Sequence, residues 1–370
     1  MEGVLSDSLL LETVQGFSCF RYNKFRYALE DLIYEKNNSV PTMKDVAKEA
    51  GVSLGTVSKV VNQLPVGAEY RHKVEAAIKK LNYQVNSYAQ GMRASSTHTV
   101  AFLIPNTTEP YFARLTSYIS RSLSQRGYRM LLCLTEYDPD AEQGCIDMLR
   151  QNKVDGIIGL TYNPELHIEE DIPFVSIDRS FGPGIPCVVS DNFAGGRLAA
   201  ETLISCGCKR LAFLRIGSVL ANEPNKRKAG FESVCQAHNL SYEALILEEG
   251  EPLTKFQDFL LEHYTEKRLL FDGIFCVTDR IAVYVIRFLR SLGLRVPEDV
   301  QVIGFDGITY FEDDDYLCST ILQPVPQLAQ MCVELLLRPE EAATPSLVCL
   351  PVHFAYGKTT LPCSHSSHCR

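Results

Sequence analysis

The chain has 370 residues, 46% of them hydrophobic and 22% charged, with a mean hydropathy of −0.03. That is too long for one ordinary core and too apolar for wholesale disorder, and no stretch nears the ~18 to 20 apolar residues of a membrane helix. The net charge of −9 divides into −2 over residues 1–41, +4 over 42–98 and −11 over 99–370, so a short basic module is joined to a large acidic body and only the module is suited to a polyanion.

Residues 1–41 carry Glu2 and Asp7 and only the short apolar run Leu9-Leu10-Leu11. No secretory signal is expected there, and the chain is read as cytoplasmic, without membrane attachment. The segment is an N-terminal extension of unassigned role or, with Met43 just beyond it, an upstream translation. The 13 cysteines, in a long chain without a signal, are expected as reduced thiols filling a core.

Residues 42–85 read as short helices. Lys44 to Ala50 puts Val46, Ala47 and Ala50 on one face. Gly51-Val52-Ser53 breaks the helix, with Gly51 suited to a left-handed C-cap and Ser53 to the next N-cap. Leu54 to Asn62 turns Val57, Val60 and Val61 inward, and a third helix from about Glu69 to Leu81 buries Val74, Ala77, Ile78 and Leu81. Two steeply crossing helices need a small residue at the contact (Ala47), a flexible turn (Gly51) and apolar docking residues (Val57, Val60). That spacing predicts a helix-turn-helix, whose second helix enters the major groove; the alternative is an ordinary αα-hairpin.

From residue 99 on, apolar β-branched runs alternate with helical stretches such as Ala113–Arg126 and Ile281–Leu292. The expected strands are Val100–Ile104, Met130–Leu134, Gly156–Leu160, Phe174–Asp178, Val188–Asp191, Leu211–Ile216, Ala244–Leu247, Gly273–Val277 and Val300–Phe305. Alternating buried strands and helices predict parallel α/β sheets, and the number of strands predicts two lobes rather than one. Enzyme signatures are missing: no P-loop, no dinucleotide fingerprint, no Gly-x-Ser-x-Gly and no His-Glu-x-x-His. No enzyme, cofactor or metal site is expected. The tail Cys363-x-His365-x-x-His368-Cys369 has ligand residue types but is short and terminal, and Cys206-x-Cys208 is read as buried sulfur.

The run Lys44-Asp-Val-Ala-Lys-Glu-Ala-Gly-Val-Ser-Leu-Gly-Thr-Val-Ser-Lys-Val-Val-Asn62, continued by Ala76-Ala-Ile-Lys-Lys-Leu-Asn-Tyr83, resembles the headpiece of the lactose-repressor/purine-repressor family of bacterial transcription regulators. Further matching segments are Asp191-Asn-Phe-Ala-Gly-Gly196, Arg227-Lys-Ala-Gly-Phe231, Val302-Ile-Gly-Phe-Asp306 and Gln323-Pro324. The resemblance implies an all-α helix-turn-helix headpiece (42–85), a hinge helix and linker (86–98), an α/β two-lobed periplasmic-binding-protein-like domain with parallel sheets (99–360) and a tail (361–370). It implies a homodimeric repressor that binds double-stranded operator DNA under control of a small-molecule effector, a sugar or a nucleobase.

Residue roles follow. Leu54, Gly55 and Lys59 face base edges; Ser53, Thr56 and Ser58 are placed for phosphates, with Asn62 closing the group. Met92 stands where the family has a leucine wedge for the minor groove. By position, Arg227 and Asp306 are the main polar effector contacts, Tyr111 and Phe112 an aromatic wall, and Asp178 and Asp279 strand-end acids facing the cleft. Thr278-Asp279 stands where many members have Asn. The alternatives are core packing for the aromatic pair, a salt bridge within one lobe for Arg227 and a helix cap for Asp306. The rival for the whole chain is a solute-binding protein without a regulatory role on DNA.

Overall fold

The computed structural model describes residues 41–83, 96–163, 165–169, 171–182, 184–217, 222–309, 315–338 and 345–362. Met92, most of the hinge segment, the N-terminal extension and the Cys/His tail motif lie outside them. Two compact units divide the chain, Met1–Gln90 and Gly91–Arg370.

The first unit holds α1 (Met43–Ala50), α2 (Leu54–Val61) and α3 (Ala68–Leu81). At the start of α1 the Thr42 N–H donates to Asp45 Oδ2 at 2.7 Å. Gly51 ends the helix at φ +63°, a conformation that costs a glycine little. Ser53 Oγ accepts from the Thr56 N–H at 3.2 Å to open α2. The core is Val46, Ala47, Val57, Val60, Val74 and Ala77, with Ile78 and Leu81 half-buried at its margin. Asn62, expected as the last residue of α2, is instead its C-cap.

The second unit contains two six-stranded sheets of the same strand order. The strands of the first are β1 (Thr99–Ile104), β2 (Arg129–Leu134), β3 (Gly156–Gly159), β4 (Phe174–Ile177), β5 (Cys187–Ser190) and β13 (Leu347–Leu350), in the order β13-β5-β4-β3-β1-β2. Those of the second are β6 (Leu211–Ile216), β7 (Tyr242–Leu247), β10 (Gly273–Cys276), β11 (Gln301–Asp306), β12 (Ser319–Leu322) and β14 (His353–Ala355), in the order β14-β12-β11-β10-β6-β7. Within the two sheets every pairing is parallel except β12 with β14. The small hairpin of β8 (Tyr264–Thr265) and β9 (Arg268–Leu269) stands apart.

Every expected strand is present, with ends displaced by at most two residues. β8, β9, β12, β13 and β14, each two to four residues long, were not foreseen. β13 exists because it pairs with β5, far away in sequence.

Helices cover the sheets. In the first lobe α4 (Pro110–Ser124) and α10 (Val325–Leu336) pack together over one face, and α5 (Pro139–Gln151) closes the other with Ile146 and Leu149. The second lobe is built with α6 (Asn192–Ser205), α7 (Lys226–Ala237), α8 (Thr254–Glu262) and α9 (Asp279–Ser291). The chain therefore crosses between lobes after β5, after β12 and after β13. Nine described cysteines are free thiols and seven of them are buried as expected, Cys208 among them, whereas Cys145 is half-buried, Cys349 is exposed and Cys206 is disulfide-bonded. No helix among the described residues is long and apolar enough to cross a membrane.

Candidate functional site

The residues expected to read DNA lie along one side of the first unit. Leu54 is 39% exposed, and Gly55 and Lys59 are also exposed, while Val57 and Val60 of the same helix are buried. Helical geometry forces this split: positions 57 and 60 dock α2, which turns 55 and 59 outward. Lys59 makes no hydrogen bond or ion pair among the described residues, whereas Lys80 is engaged with Glu49 at 2.7 Å and Lys73 with Glu69 at 2.7 Å. Ser53 and Thr56 share a hydroxyl–hydroxyl bond of 2.9 Å, and Asn62 Nδ2 donates to Ser58 Oγ at 3.3 Å. These four polar groups thus brace the ends of α2. A β-carbon on Gly55 would meet only Ser53 Oγ, at 3.7 Å, so nothing inside the unit requires that glycine.

Between its lobes the second unit forms a partly open cavity of about 140 Å³. Its walls come from the carboxyl ends of parallel strands on either side of the point where strand order reverses. Tyr111 and Phe112 follow β1, Tyr162 follows β3, Arg215 ends β6 and Thr278 follows β10. Crevices at such points are where open α/β sheets bind ligands, because the loops diverge there.

Arg227, 5% exposed, is locked on three sides. Its Nε donates to Asn192 Oδ1 at 2.7 Å and a terminal N–H donates to the Val277 carbonyl at 2.6 Å. The guanidinium also stacks 3.6 Å above the Phe305 ring. No carboxylate among the described residues pairs with it, which removes the salt-bridge alternative. The two matched glycine segments explain its placement. A β-carbon at Gly196 would lie 1.9 Å from the Arg227 carbonyl oxygen, and one at Gly230 would lie 2.0 Å from that of Phe193. Only glycines let α6 and α7 approach this closely.

Asp306 ends β11 at φ +122°, a strained backbone for a non-glycine residue. Its Oδ1 accepts from Gln323 Nε2 at 2.8 Å, and Gln323 Oε1 accepts from Ser190 Oγ at 2.7 Å. Ser190 and Gln323 sit on two of the three lobe crossings, so the cavity carboxylate is tied to the hinge by two hydrogen bonds. Burial pushes the Asp306 carboxyl well above the usual range, against the opposing pull of Arg227. Burial likewise raises Asp178 to about 6. Asp178 lines the cavity just past β4 at φ +59°.

Tyr111 and Phe112 line the cavity and belong to the first lobe's core at once, 8% and 7% exposed; wall and core packing are both true of them. Their rings meet tilted at 58°, 5.9 Å apart. The Tyr111 hydroxyl is buried without a hydrogen-bond partner among the described residues.

Asp279 is the correction. It is absent from the cavity lining and points into the second lobe, where Oδ2 accepts from the Ile308 N–H at 2.7 Å and Oδ1 accepts from Cys318 Sγ at 3.4 Å. The start of α9 turns alternate residues to opposite sides, so Thr278 and Arg280 line the cavity and Asp279 does not. Burial raises its carboxyl to about 7.

Sequence reading passed over Glu109, Tyr137, Arg215, Glu249, Arg280 and Gln323, all of which line the cavity. Gln323 lay in a matched segment and Arg215 at an expected strand end, so both were within reach. Glu249 and Tyr137 lie in loops that carry no signal. Arg280 pairs with Glu109 across the two lobes. Arg114 donates to the Gly307 carbonyl at 2.7 Å, and the Glu223 N–H donates to the Asp178 carbonyl at 3.0 Å, so three contacts hold the lobes together around the cavity.

Residues 97–333 match the family described as periplasmic binding proteins and sugar binding domain of the LacI family. Residues 42–86 match that of bacterial regulatory proteins, lacI family. A sucrose operon repressor of Pediococcus pentosaceus is 33% identical over 86% of this chain and 99% of its own length. A ribose operon repressor of Halalkalibacterium halodurans is 33% identical over 80% of this chain and 89% of its own. Among solved structures, the lac repressor dimer bound to operator and the anti-inducer ONPF superimposes with a TM-score of 0.73 at 25% identity, covering 88% of this chain and all of that one.

Proposed function

Because the chain belongs to the LacI family of DNA-binding regulators, we propose that it works as a homodimeric repressor whose grip on operator DNA is set by a sugar held in the cavity between its lobes. It is a DNA-binding repressor with an effector-binding domain and not an enzyme, as its relatives are. The homodimer and the sugar extend that statement. Relatives named for sucrose and ribose operons favour a sugar over a nucleobase, and two headpieces are needed to read the half-sites of a palindrome. Such a repressor meets its operator in the cytoplasm.

The observation that carries the reading is the chain Asp306–Gln323–Ser190. A hydroxyl-rich occupant hydrogen-bonded to Asp306 and Arg227 acts on groups fixed to two lobe crossings, so occupancy biases the angle between lobes. On the DNA side, Lys59 is placed to donate to guanine and Leu54 to touch a thymine methyl. Gly55 leaves the backbone open to close approach, while Ser53, Thr56, Ser58 and Asn62 fix the helix ends near phosphates.

Gel shifts at fixed salt, on duplexes enriched from a random pool, test both halves. Lys59→Ala is expected to weaken specific binding by about 1–3 kcal/mol while keeping the response to sugar. Arg227→Ala is expected to bind DNA and lose the response. If sugars leave wild-type DNA binding unmoved, the assignment of a sugar as the effector is refuted.

A further inference from the structure

Cys206 is disulfide-bonded, and its surroundings point to the partner. The nearest cysteine in the chain, Cys208, is a free thiol. It is buried and donates to the Asp272 carbonyl at 3.3 Å, and burial pushes it up to about 12, so it supplies almost no thiolate for exchange. The other eight free thiols are equally ruled out. Of the 13 cysteines in the chain, Cys19, Cys363 and Cys369 are left, all outside the described residues.

The described residues bring the approach to one of these three up to Cys206. Cys206 is the half-buried C-cap of α6, and its Sγ lies 3.2 Å from the Leu361 carbonyl oxygen. Gln301, buried at the start of β11, holds both backbones at once. Its Nε2 donates to the Cys206 carbonyl at 3.0 Å and its Oε1 accepts from the Leu361 N–H at 2.9 Å. The chain leading to Leu361 is docked in the same way. The Val302 N–H donates to the Thr359 carbonyl at 2.9 Å, Thr359 Oγ1 donates to the Val302 carbonyl at 2.7 Å, and the Ser319 N–H donates to Thr359 Oγ1 at 2.8 Å. These bonds place the segment beside Cys206 whether or not the sulfurs are joined.

Reach then separates the three. Cys363 follows Leu361 by two residues, a span of at most about 7 Å, and bridged cysteines have Cα atoms about 4 to 7 Å apart. Cys369 follows Leu361 by eight residues and must close a longer loop to arrive at the same sulfur. Cys19 belongs to the other compact unit.

We infer that Cys206 is bonded to Cys363, and that the bond is a redox-responsive clip fastening the C-terminal segment to the end of α6. A repressor working in the cytoplasm is surrounded by reduced thiols, so a bond there forms when the surroundings turn oxidising. The oxidant is a low-molecular-weight disulfide of the glutathione class. One protein thiolate attacks it, forming a mixed disulfide and releasing one small thiolate. The second protein thiolate attacks the protein sulfur of that mixed disulfide and releases the other. Two protein thiols and one small disulfide thus become one protein disulfide and two small thiols, which take up the two protons. The bond closes a covalent ring from residue 206 to residue 363, through most of the second lobe, and a ring of that kind restricts the unfolded chain.

The test is to equilibrate the full chain in glutathione buffers of increasing oxidised fraction, block free thiols by alkylation, and digest without reduction. Tryptic peptides 198–209 and 359–370 each hold two cysteines, so fragment ions and variants assign the pair. The expected result is one joined peptide with the bond at Cys206 and Cys363, present also in Cys369→Ser. A bond from Cys206 to Cys369 or Cys19, loss of the joined peptide in Cys369→Ser, or no joined peptide at any ratio overturns the inference. Dithiothreitol is expected to lower the Tm of the wild type by at least about 4 °C and to leave Cys363→Ser unmoved; a wild-type Tm indifferent to reduction refutes the clip. Gln301→Ala is expected to need a glutathione ratio at least about fivefold more oxidising for half-formation. An unchanged ratio refutes the positioning part given to Gln301.

Discussion

The headpiece and the cavity carry their candidate residues in opposite ways. On α2 the groups suited to DNA stand outside a six-residue core and are not needed by it; Lys59 and Gly55 touch almost nothing else in the unit. In the cavity Arg227, Asp306 and Gln323 are buried, bonded to one another's neighbours and seated on the lobe crossings. A DNA reader must leave its donors available to an incoming polyanion. A sensor must couple its ligand groups to the framework that moves. Function is therefore separable from stability in the first region and inseparable from it in the second.

The widest break in that contrast would come from glycines. Gly196→Ala places a β-carbon 1.9 Å from the Arg227 carbonyl, so α6 and α7 must separate. The expected loss is about 3 kcal/mol of stability, read from the urea midpoint, along with the effector response. A midpoint within error of wild type would show that the helix contact is not tight.

An effect of similar size, but confined to a pH window, is expected from Asp178. Burial raises its carboxyl from 3.8 to about 6, so the folded chain holds this proton more tightly than the unfolded chain does. Its stabilising contribution is complete below about pH 4 and is lost as pH rises through 6, roughly 3 kcal/mol across the window. Asp178→Asn lacks that slope. The difference in unfolding free energy, variant minus wild type, should therefore grow from pH 4 to pH 7 in the absence of sugar; parallel curves would show that the carboxyl is better solvated than its place in the cavity wall implies.

The smallest effect on folding belongs to the headpiece. Gly55→Ala meets only Ser53 Oγ at 3.7 Å and replaces a helical glycine, so stability is expected to rise by up to about 1 kcal/mol. Operator binding should fall at the same time. A loss of stability instead would place Gly55 with Gly196 and remove the distinction between the two regions.

Much of the headpiece was legible because its determinants are local. Gly51 breaks the helix, Ser53 caps the next one, and the 3.6-residue spacing of Val57 and Val60 turns Lys59 outward; all lie within one short stretch of chain. The parallel lobes were legible for a related reason, since buried parallel strands write themselves as continuous apolar runs. Arg227 and Asp306 were found through motifs that resembled a family's, not through any property of an isolated Arg or Asp. Asp279 was misassigned because a strand-end acid reads alike whether it faces the cavity or the lobe interior. Only the first turn of α9 separates Thr278 and Arg280 from it.

The amino-acid order alone therefore decided which helices form, which runs become strands, and that a basic reader precedes an acidic body, because capping, periodicity and charge act between near neighbours. Tertiary structure decided the rest. It formed β13 by pairing it with β5 across more than half of the second unit, brought Gly196 against Arg227, joined Asp306 to Ser190 through Gln323, and lined the cavity with Glu109 and Arg280 from opposite lobes. Each of these depends on residues distant in the chain, whose proximity no local rule encodes.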